Sequence, residues 1–373
     1  MAGALDGAAV DALLARAKRD VDEGLLPSCQ VALGLDGKVV LHEVFGDATL
    51  DTRYTIFSAT KPFVASVVWQ LLGEGLLDPE TRIADVLPSF GTNGKDVITL
   101  DHVLLHTAGF PRAPLGPPRW DTHEGRAEAF AAWRLNSDVG TAFEYHPTSA
   151  HWVLAEVIHA VTGLDHTDAV RTRVAEPLGL SGFALGVAPG ADDGIAEISL
   201  CGEPTDPDEL EAVLGIREID PGEVTDDALL GLNHPKARAV GVPGGGAVAT
   251  AADVVTFYQA LLDDQQGLWD PAVLHDVTTV VRNTFPDPMM GTPANRTRGL
   301  ILAGDDGKSN LRGMGKTVSP GAFGHNGAMG QVAWADPATG LSFCYLTNGR
   351  DLDFLREHRR TTAVASRAAV CVS

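Results

Sequence analysis

The strand-like segments of this sequence lie near its two ends, with helix-like segments between them. Near the start, apolar runs over 28–35 and 38–45 flank Asp36-Gly37, a dipeptide typical of a two-residue hairpin turn. Near the end, three short apolar runs again predict strands, at 298–304, 329–336 and 341–348. Because strand backbones need partners for their hydrogen bonds, we expect one sheet built from both ends of the chain.

The residues between the two ends show helical periodicity. Four segments repeat apolar residues every three or four positions and predict helices, at 57–77, 101–110, 150–163 and 251–264. A last helix is predicted over 351–368. We therefore expect an α+β fold and a single two-lobed domain over 1–373. The sheet lobe would comprise about 1–75 and 295–373, and the mainly helical lobe about 76–294.

Composition excludes several classes of protein. The chain has 373 residues, of which 45% are hydrophobic, so it can bury a large core and is not mainly disordered. Its formal net charge of −21 argues against nucleic-acid partners and against binding to anionic membranes. No apolar run approaches the roughly 18 residues of a membrane-spanning helix.

The acidity is concentrated between Asp192 and Asp227. This segment contains thirteen Asp or Glu residues and one basic residue, Arg217. Two interpretations stay open: a solvated surface segment, or a flap that repels anionic substrates.

Cysteine usage and the first residues predict a location. The four cysteines are scattered along the sequence, at Cys29, Cys201, Cys344 and Cys371. Their spacing matches neither a CxxC motif nor a set of zinc ligands. Charged residues from Asp6 to Arg19 stand where a secretory signal needs an apolar stretch. We therefore expect a reduced, cytoplasmic protein.

Ser58 and Lys61 form an S-x-x-K motif, a pattern found in serine acyl-enzymes. The following Pro62 belongs in the first turn of a helix, so Ser58 would lie at the helix N-terminus, where free N–H groups favour developing negative charge. The i, i+3 spacing puts both side chains on one face, and a desolvated lysine can take the serine proton. From these residues alone, an N-cap serine followed by a surface lysine is the alternative.

Longer stretches around this motif resemble a known family. They are YTIFSATKPFVASVVWQLLGEGLLDPETRIADVLPSFG with ITLDHVLLHTAGF, then FEYHPTSAHWVLAEVI (143–158), GVPGGGAVATAADVVTFYQAL (241–261) and FGHNGAMGQVAWADPATGLSFCYLTNG (323–349). In order and spacing they resemble the class C β-lactamase-like serine hydrolases, which include class C β-lactamases, DD-peptidases, family VIII carboxylesterases and some transacylases. The motif pattern is most similar to that of the family VIII carboxylesterases.

The resemblance implies a fold and roles for particular residues. The fold would be that of β-lactamases and DD-peptidases: an antiparallel sheet flanked by helices, with an inserted helical lobe. Ser58 would be the nucleophile, Lys61 its base, and Tyr145 a proton relay to the leaving group. His325 and Gly327 would belong to the third motif, and the N–H of Ala328 would join that of Ser58 as an oxyanion hole. No cofactor and no metal is implied.

Two observations favour esters: a departure from the β-lactamase pattern in the second motif, and the expected lack of a signal peptide, which would keep the enzyme away from periplasmic peptidoglycan and secreted antibiotics. β-Lactamases usually have Tyr-x-Asn, in which the Asn binds a substrate amide, whereas this chain has Tyr145-His146-Pro147. The usual Lys-Thr-Gly is replaced by His325-Asn326-Gly327, and His325 could bond to the substrate or to the Tyr145–Lys61 network. We therefore expect a carboxylic ester hydrolase acting on small molecules. The alternatives are β-lactam or amide hydrolysis, acyl transfer, and a catalytically silent binding homologue.

Other candidate motifs receive structural interpretations. His102 and His106 have the i, i+4 spacing of a metal pair, but no Glu stands between them as in HExxH. The run Gly244–Gly246 lacks the ending of a phosphate loop and predicts a tight turn. The tryptophans Trp120, Trp133 and Trp152 predict core packing, although some could line an apolar acyl pocket.

Overall fold

The computed structural model describes residues 4–372. Within that range the strands are β1 (Ser28–Leu35), β2 (Lys38–Gly46), β3 (Tyr54–Thr55), β4 (Ser199–Cys201), β5 (Val248–Ala249), β6 (Pro286–Asp287), β7 (Thr292–Pro293), β8 (Ile301–Leu302), β9 (Phe323–Gly324), β10 (Val332–Asp336), β11 (Leu341–Thr347) and β12 (Gly349–Asp351).

The α-helices of the same range are α1 (Gly7–Asp22), α2 (Lys61–Gly73), α3 (Ile83–Val86), α4 (Leu100–Leu104), α5 (His123–Ala132), α6 (Ser149–Thr162), α7 (His166–Val170), α8 (Glu176–Leu178), α9 (Pro207–Leu214), α10 (Asp226–Leu230), α11 (Pro235–Val240), α12 (Ala251–Leu262), α13 (Pro271–Thr279) and α14 (Phe354–Ala368). Short 3₁₀ turns occupy Phe57–Thr60, Pro88–Phe90, Arg119–Asp121 and Gly231–Asn233, and Arg171–Ala175 is π-helical.

The main sheet joins the two ends of the chain, as predicted. Its strand order is β2-β1-β11-β10-β9-β8, and every neighbouring pair is antiparallel. The hairpin turn has positive φ at both Asp36 (52°) and Gly37 (73°), which is the type I′ geometry that this dipeptide favours. The other described strands form small two-stranded pairs, β12 with β4, β3 with β5 and β6 with β7.

Several predicted elements are shorter in the structure, because positive-φ residues end them. The helix expected over 101–110 stops at Leu104, and the chain then turns at His106 (φ 58°). The strand expected over 298–304 is reduced to β8, since Gly299 has φ of 116° and lies against Ala65. The strand expected from 329 begins at Val332, after a turn with Met329 at φ 61°.

Helices cover both faces of the sheet. Alternate residues of β1, such as Val31 and Leu33, pack with α1 and α14, while Ala32 faces the other side. On that side lies α12, whose Gln259 donates hydrogen bonds to the Gly34 carbonyl (2.9 Å) and to Ser342 Oγ (3.0 Å). Thus α12 packs on the sheet although it falls in the range 76–294 predicted as the helical lobe. The division of the chain into lobes stays a prediction.

Helix α2 runs through the larger core. Its residues from Lys61 to Leu71 are all buried, and Phe63 stacks on Phe183 and Phe257, with ring centroids 4.3 and 4.0 Å apart. A helix that is apolar on all sides belongs inside a protein, and this one holds the S-x-x-K motif rigidly. Trp133 and Trp152 are buried in the same core, and Trp120 packs against it, as their packing interpretation predicted.

Within residues 4–372 no helix has both the length and the apolar content that crossing a bilayer requires. The thiols of all four cysteines are free. In the same range, no three His, Cys, Asp or Glu side chains gather closely enough to hold a metal ion.

A buried ion network fastens the two terminal helices to each other. Arg360 on α14 lies between Asp20 of α1 (3.2 Å) and Asp351 of β12 (2.9 Å), and the side chains of Arg360 and Asp351 are fully buried. Arg16 also pairs with Asp20, and Arg356 also pairs with Asp351. Burial alone would raise the pKa of Asp351, but the hydrogen bond from Arg356 and the charge of Arg360 outweigh it and hold this pKa below its ordinary value.

We predict that Asp351→Asn lowers the free energy of unfolding by about 3 kcal/mol at neutral pH, because it removes one of the two carboxylates that offset the buried charge of Arg360. A lowered carboxylate pKa stabilises the fold above the unfolded-state pKa, and this stabilisation disappears as pH falls through the folded-state value. Urea unfolding at neutral and acid pH measures both effects. Arg359→Met is the control, because its ion pair with Glu209 is exposed and should change stability by no more than about 1 kcal/mol. Equal effects of the two substitutions would contradict the prediction.

Candidate active site

Ser58 lies in the 3₁₀ turn that leads into α2, as the sequence predicted. The preceding Phe57 has φ of 46°, a strained value for a bulky residue, and its neighbours hold the turn in place. The N–H of Ile56 donates to the Ala247 carbonyl (2.9 Å), and the N–H of Ala247 donates to Thr60 Oγ1 (3.1 Å). The half-buried Ser58 side chain is thereby fixed at the start of the helix.

Lys61 is fully buried, and its amino nitrogen contacts three oxygen atoms. Nζ lies 3.0 Å from Ser58 Oγ, 2.8 Å from the Pro147 carbonyl and 2.6 Å from the Gly244 carbonyl. Burial lowers the pKa of Lys61, which favours the neutral amine. A neutral amine has two protons, one for each carbonyl, so its lone pair would face Ser58 Oγ. This arrangement can accept the proton of Ser58.

Tyr145 completes the group around Ser58. Its hydroxyl donates to Ser58 Oγ at 3.0 Å, and its ring centroid lies 5.0 Å from Lys61 Nζ. The structure therefore brings together the three residues Ser58, Lys61 and Tyr145 that the resemblance implies.

Two buried histidines fix the segment that contains Tyr145. His146 Nδ1 lies 2.6 Å from the Glu144 carbonyl, and its Nε2 accepts the N–H of Phe110 at 3.2 Å. These partners require a neutral ring, and burial lowers the pKa of His146 to about 4. The N–H of His146 in turn donates to Nδ1 of His106 (3.2 Å). Both rings hold the backbone beside Tyr145, and the His106 ring also packs on the Tyr145 ring, with centroids 4.8 Å apart.

His325 lies at the far side of Tyr145, directly after β9. Its Nδ1 lies 2.9 Å from the Asn326 carbonyl, its Nε2 accepts from Arg296 Nη1 at 3.0 Å, and its ring centroid is 6.0 Å from that of Tyr145. Burial and the charge of Arg296 lower the pKa of His325 well below its ordinary value, so the ring is neutral. Its nitrogens bond to these groups and not to Tyr145 or Lys61. A contact between His325 and the substrate stays a prediction.

Gly327 brings the third motif against the turn of Ser58. A Cβ at this position would lie only 2.2 Å from the Ile56 carbonyl oxygen, so any side chain would push the two segments apart. The adjacent Ala328 packs with Phe57 and Met329. Among residues 4–372, neither the Ser58 N–H nor the Ala328 N–H has a hydrogen-bond acceptor. Two free donors on adjoining segments are what an oxyanion hole requires.

The acidic segment contributes apolar residues to the same region. Val224, Leu229 and Leu230 pack on the cluster that contains Phe57, while most of the acidic side chains between Asp192 and Asp227 are exposed. The exposure agrees with the solvated-surface interpretation of the charge. The apolar residues of this segment also pack beside Phe57, which directly precedes Ser58.

Sequence reasoning missed several groups at the site. The Gly244–Gly246 run is a tight turn, as predicted, with Gly246 N–H donating to the Val242 carbonyl (2.7 Å). The contact of its Gly244 carbonyl with Lys61 has no signal in the sequence. Arg296 and the rings of His106 and His146 were not assigned roles at the site. His102 instead caps α4 through Thr99, which explains the first histidine of the supposed metal pair.

Comparisons with known proteins identify the family of this chain. A family model described as beta-lactamase matches residues 13–367. The esterase/beta-lactamase LipL of Mycobacterium tuberculosis is 30% identical over 350 residues, which span 85% of this chain and 76% of LipL.

Solved structures share the fold over nearly the whole chain. A penicillin-binding protein homologue from Caulobacter crescentus superposes with a TM-score of 0.79 at 24% identity, covering 98% of each chain. A family VIII carboxylesterase superposes with a TM-score of 0.75 at 23% identity, covering 98% of this chain and 99% of the other. The α+β fold predicted from the resemblance is thus confirmed, and the chain belongs to the β-lactamase family of serine hydrolases.

Proposed function

We propose that this protein hydrolyses carboxylic esters of small molecules through an acyl-enzyme on Ser58. The observation that carries the proposal is the position of Ser58 Oγ, which has Lys61 Nζ and the Tyr145 hydroxyl both at 3.0 Å. A serine hydroxyl becomes a nucleophile only when a base takes its proton, and Lys61 is buried and held by two carbonyls for that task.

In the first step, Ser58 Oγ attacks the ester carbonyl carbon while its proton passes to Lys61. The negative charge on the carbonyl oxygen is stabilised by the N–H groups of Ser58 and Ala328. The tetrahedral intermediate then breaks its bond to the alkoxy oxygen. Tyr145 relays the proton from Lys61 to that oxygen, and the alcohol leaves.

In the second step, water attacks the acyl-enzyme by the same path in reverse. Lys61 and Tyr145 accept a proton from the water, and the intermediate breaks its bond to Ser58 Oγ. The proton returns to Ser58, and the carboxylic acid leaves. No cofactor or metal takes part in this proposal.

The preference for esters over amides rests on Pro147. Its side chain has no hydrogen-bonding group and cannot bind a substrate amide as an asparagine side chain would, while its carbonyl bonds to Lys61 at 2.8 Å. The similarity to LipL, an esterase/beta-lactamase, and to a family VIII carboxylesterase supports an esterase.

The alternatives follow from other relatives and from the same chemistry. The second candidate is β-lactam or amide hydrolysis. It is supported by the similarity to LipL, an esterase/beta-lactamase, and to a penicillin-binding protein homologue. Acyl transfer would use the same acyl-enzyme with an alcohol in place of water. A homologue that binds ligands without catalysis would not need Lys61 and Tyr145 to contact Ser58 Oγ. A cytoplasmic location stays a prediction, supported by the four free thiols.

We predict that the wild type hydrolyses a short p-nitrophenyl ester faster than a chromogenic cephalosporin. Ser58→Ala should reduce ester hydrolysis by at least about 10³-fold, because the nucleophile is lost. Ser66→Ala is the matched control, since Ser66 also lies on α2 but bonds to the Phe63 carbonyl and should keep wild-type turnover.

Faster cephalosporin cleavage by the wild type would overturn the ester preference. Full ester activity in Ser58→Ala would overturn the assignment of the nucleophile. An unreactive wild type whose Ser58 also resists a covalent serine probe would favour the silent homologue.

We predict that Gly327→Ala lowers kcat by about 10²-fold, because the added Cβ displaces the Ala328 N–H from the oxyanion. Gly321→Ala is the control. A Cβ at Gly321 would lie 3.5 Å from its nearest neighbour, Pro337 Cγ, which is an ordinary van der Waals distance. Steady-state ester hydrolysis and thermal unfolding of both variants separate catalysis from folding. A folded Gly327→Ala enzyme with wild-type kcat would show that Ala328 does not serve the oxyanion.

A further inference from the structure

Arg296 places a buried positive charge next to the site. The residue is only 7% exposed, its Nη1 donates to His325 Nε2 at 3.0 Å, and its Nε is buried without a hydrogen-bond partner. Among the residues that the structure describes, no carboxylate forms an ion pair with it. Buried guanidinium groups are normally paired, so this one is unusual.

The guanidinium lies over the side chain that contacts Ser58. Its central carbon is 5.2 Å from the ring centroid of Tyr145 and 5.3 Å from that of Phe143. The Tyr145 ring is also 5.0 Å from Lys61 Nζ. Two basic groups therefore approach the same tyrosine, and both members of the pair formed by Lys61 and Tyr145 lie 3.0 Å from Ser58 Oγ.

Among the described residues near the Lys61–Tyr145 pair, no carboxylate bonds to the guanidinium of Arg296. Four buried histidines surround the pair, and burial favours the neutral ring in each: His106, His146, His151 and His325. Three acidic groups belong to neighbouring segments. Glu144 turns outward to Arg112 (3.5 Å), Glu223 lies beside Thr148, and Asp287 offsets part of the charge of Arg296 without forming an ion pair with it.

We infer that Arg296, held over the Tyr145 ring that Lys61 also approaches, is a positioning residue whose charge favours the neutral amine of Lys61, so that this amine can accept the Ser58 proton near neutral pH. A nearby positive charge favours the neutral form of an amine. Burial is the main cause of the lowered pKa of Lys61; the charge of Arg296 lowers this pKa further, and the contact with Tyr145 raises it. The inference rests on the proposed function.

The test measures how fast a fluorophosphonate probe labels Ser58 as a function of pH. Arg296→Met and Arg296→Gln remove the charge, and Gln keeps a donor for His325. In both variants the acid-side midpoint of labelling should move to higher pH by about 1–2 units. Arg296→Lys keeps the charge and should stay near the wild-type midpoint. If Arg296→Met fails to fold in thermal unfolding, Arg296→Gln supplies the same comparison.

Arg298→Met is the matched control. Arg298 is two residues away and pairs with Asp101 and Asp276, both at 2.5 Å, so its loss should leave the midpoint unchanged. A lower labelling rate at every pH with an unchanged midpoint in Arg296→Met and Arg296→Gln would overturn the inference, because Arg296 would then only support the fold. A shift of the same size in Arg296→Lys would overturn it as well, since charge would not be the cause.

The readout separates this inference from the proposed function. Labelling reports the reactivity of Ser58 without ester turnover, and Ser58→Ala identifies the labelled residue. If Ser58 is labelled but no ester is hydrolysed, the ester proposal fails and the midpoints still decide the role of Arg296. If Ser58 is not labelled at any pH, both are overturned.

Discussion

The antiparallel pairing of β1 with β11 is the constraint on which the rest of the molecule depends. It places Cys29 opposite Thr347 and so joins the beginning of the chain to its end. The side chain of Gln331 continues this link, donating to the carbonyls of Thr347 (2.7 Å) and Thr55 (3.2 Å). Thr55 precedes the turn of Ser58, and Gln331 follows the segment with the free Ala328 N–H. The sheet therefore holds together the two segments that contain the proposed oxyanion donors, the N–H groups of Ser58 and Ala328.

The sequence predicted the parts of the fold that depend on local pattern. Alternating and continuous apolar runs indicated the paired ends, and Asp36-Gly37 indicated the hairpin turn because two positive-φ positions suit these residues. Pro62 indicated where α2 begins. The family resemblance added Tyr145 and the third motif, which the structure places around Ser58. Periodicity failed at 101–110, where apolar spacing continues past a backbone turn at His106.

The remaining features depend on contacts that no local pattern encodes. Lys61 is held by the carbonyls of Pro147 and Gly244, and every residue has a carbonyl, so the sequence cannot mark these two. Arg296 looks like an ordinary surface arginine in its polar context, Asn-Arg-Thr-Arg. Only the folded chain shows that it is buried beside Tyr145 while Arg298 faces carboxylates. Long-range packing decides which of two neighbouring arginines reaches the site.

Pro147 shows how chemistry and selectivity can be inherited separately. Its carbonyl holds Lys61, and this contact belongs to the main chain, so exchanging the side chain leaves the oxygen in place. Under the proposed mechanism, a substitution at this position would change which molecules are accepted, while the main-chain contact that holds Lys61 would persist. In such an enzyme, new substrates are reached by substitutions at positions whose backbone serves the reaction and whose side chains are free to vary.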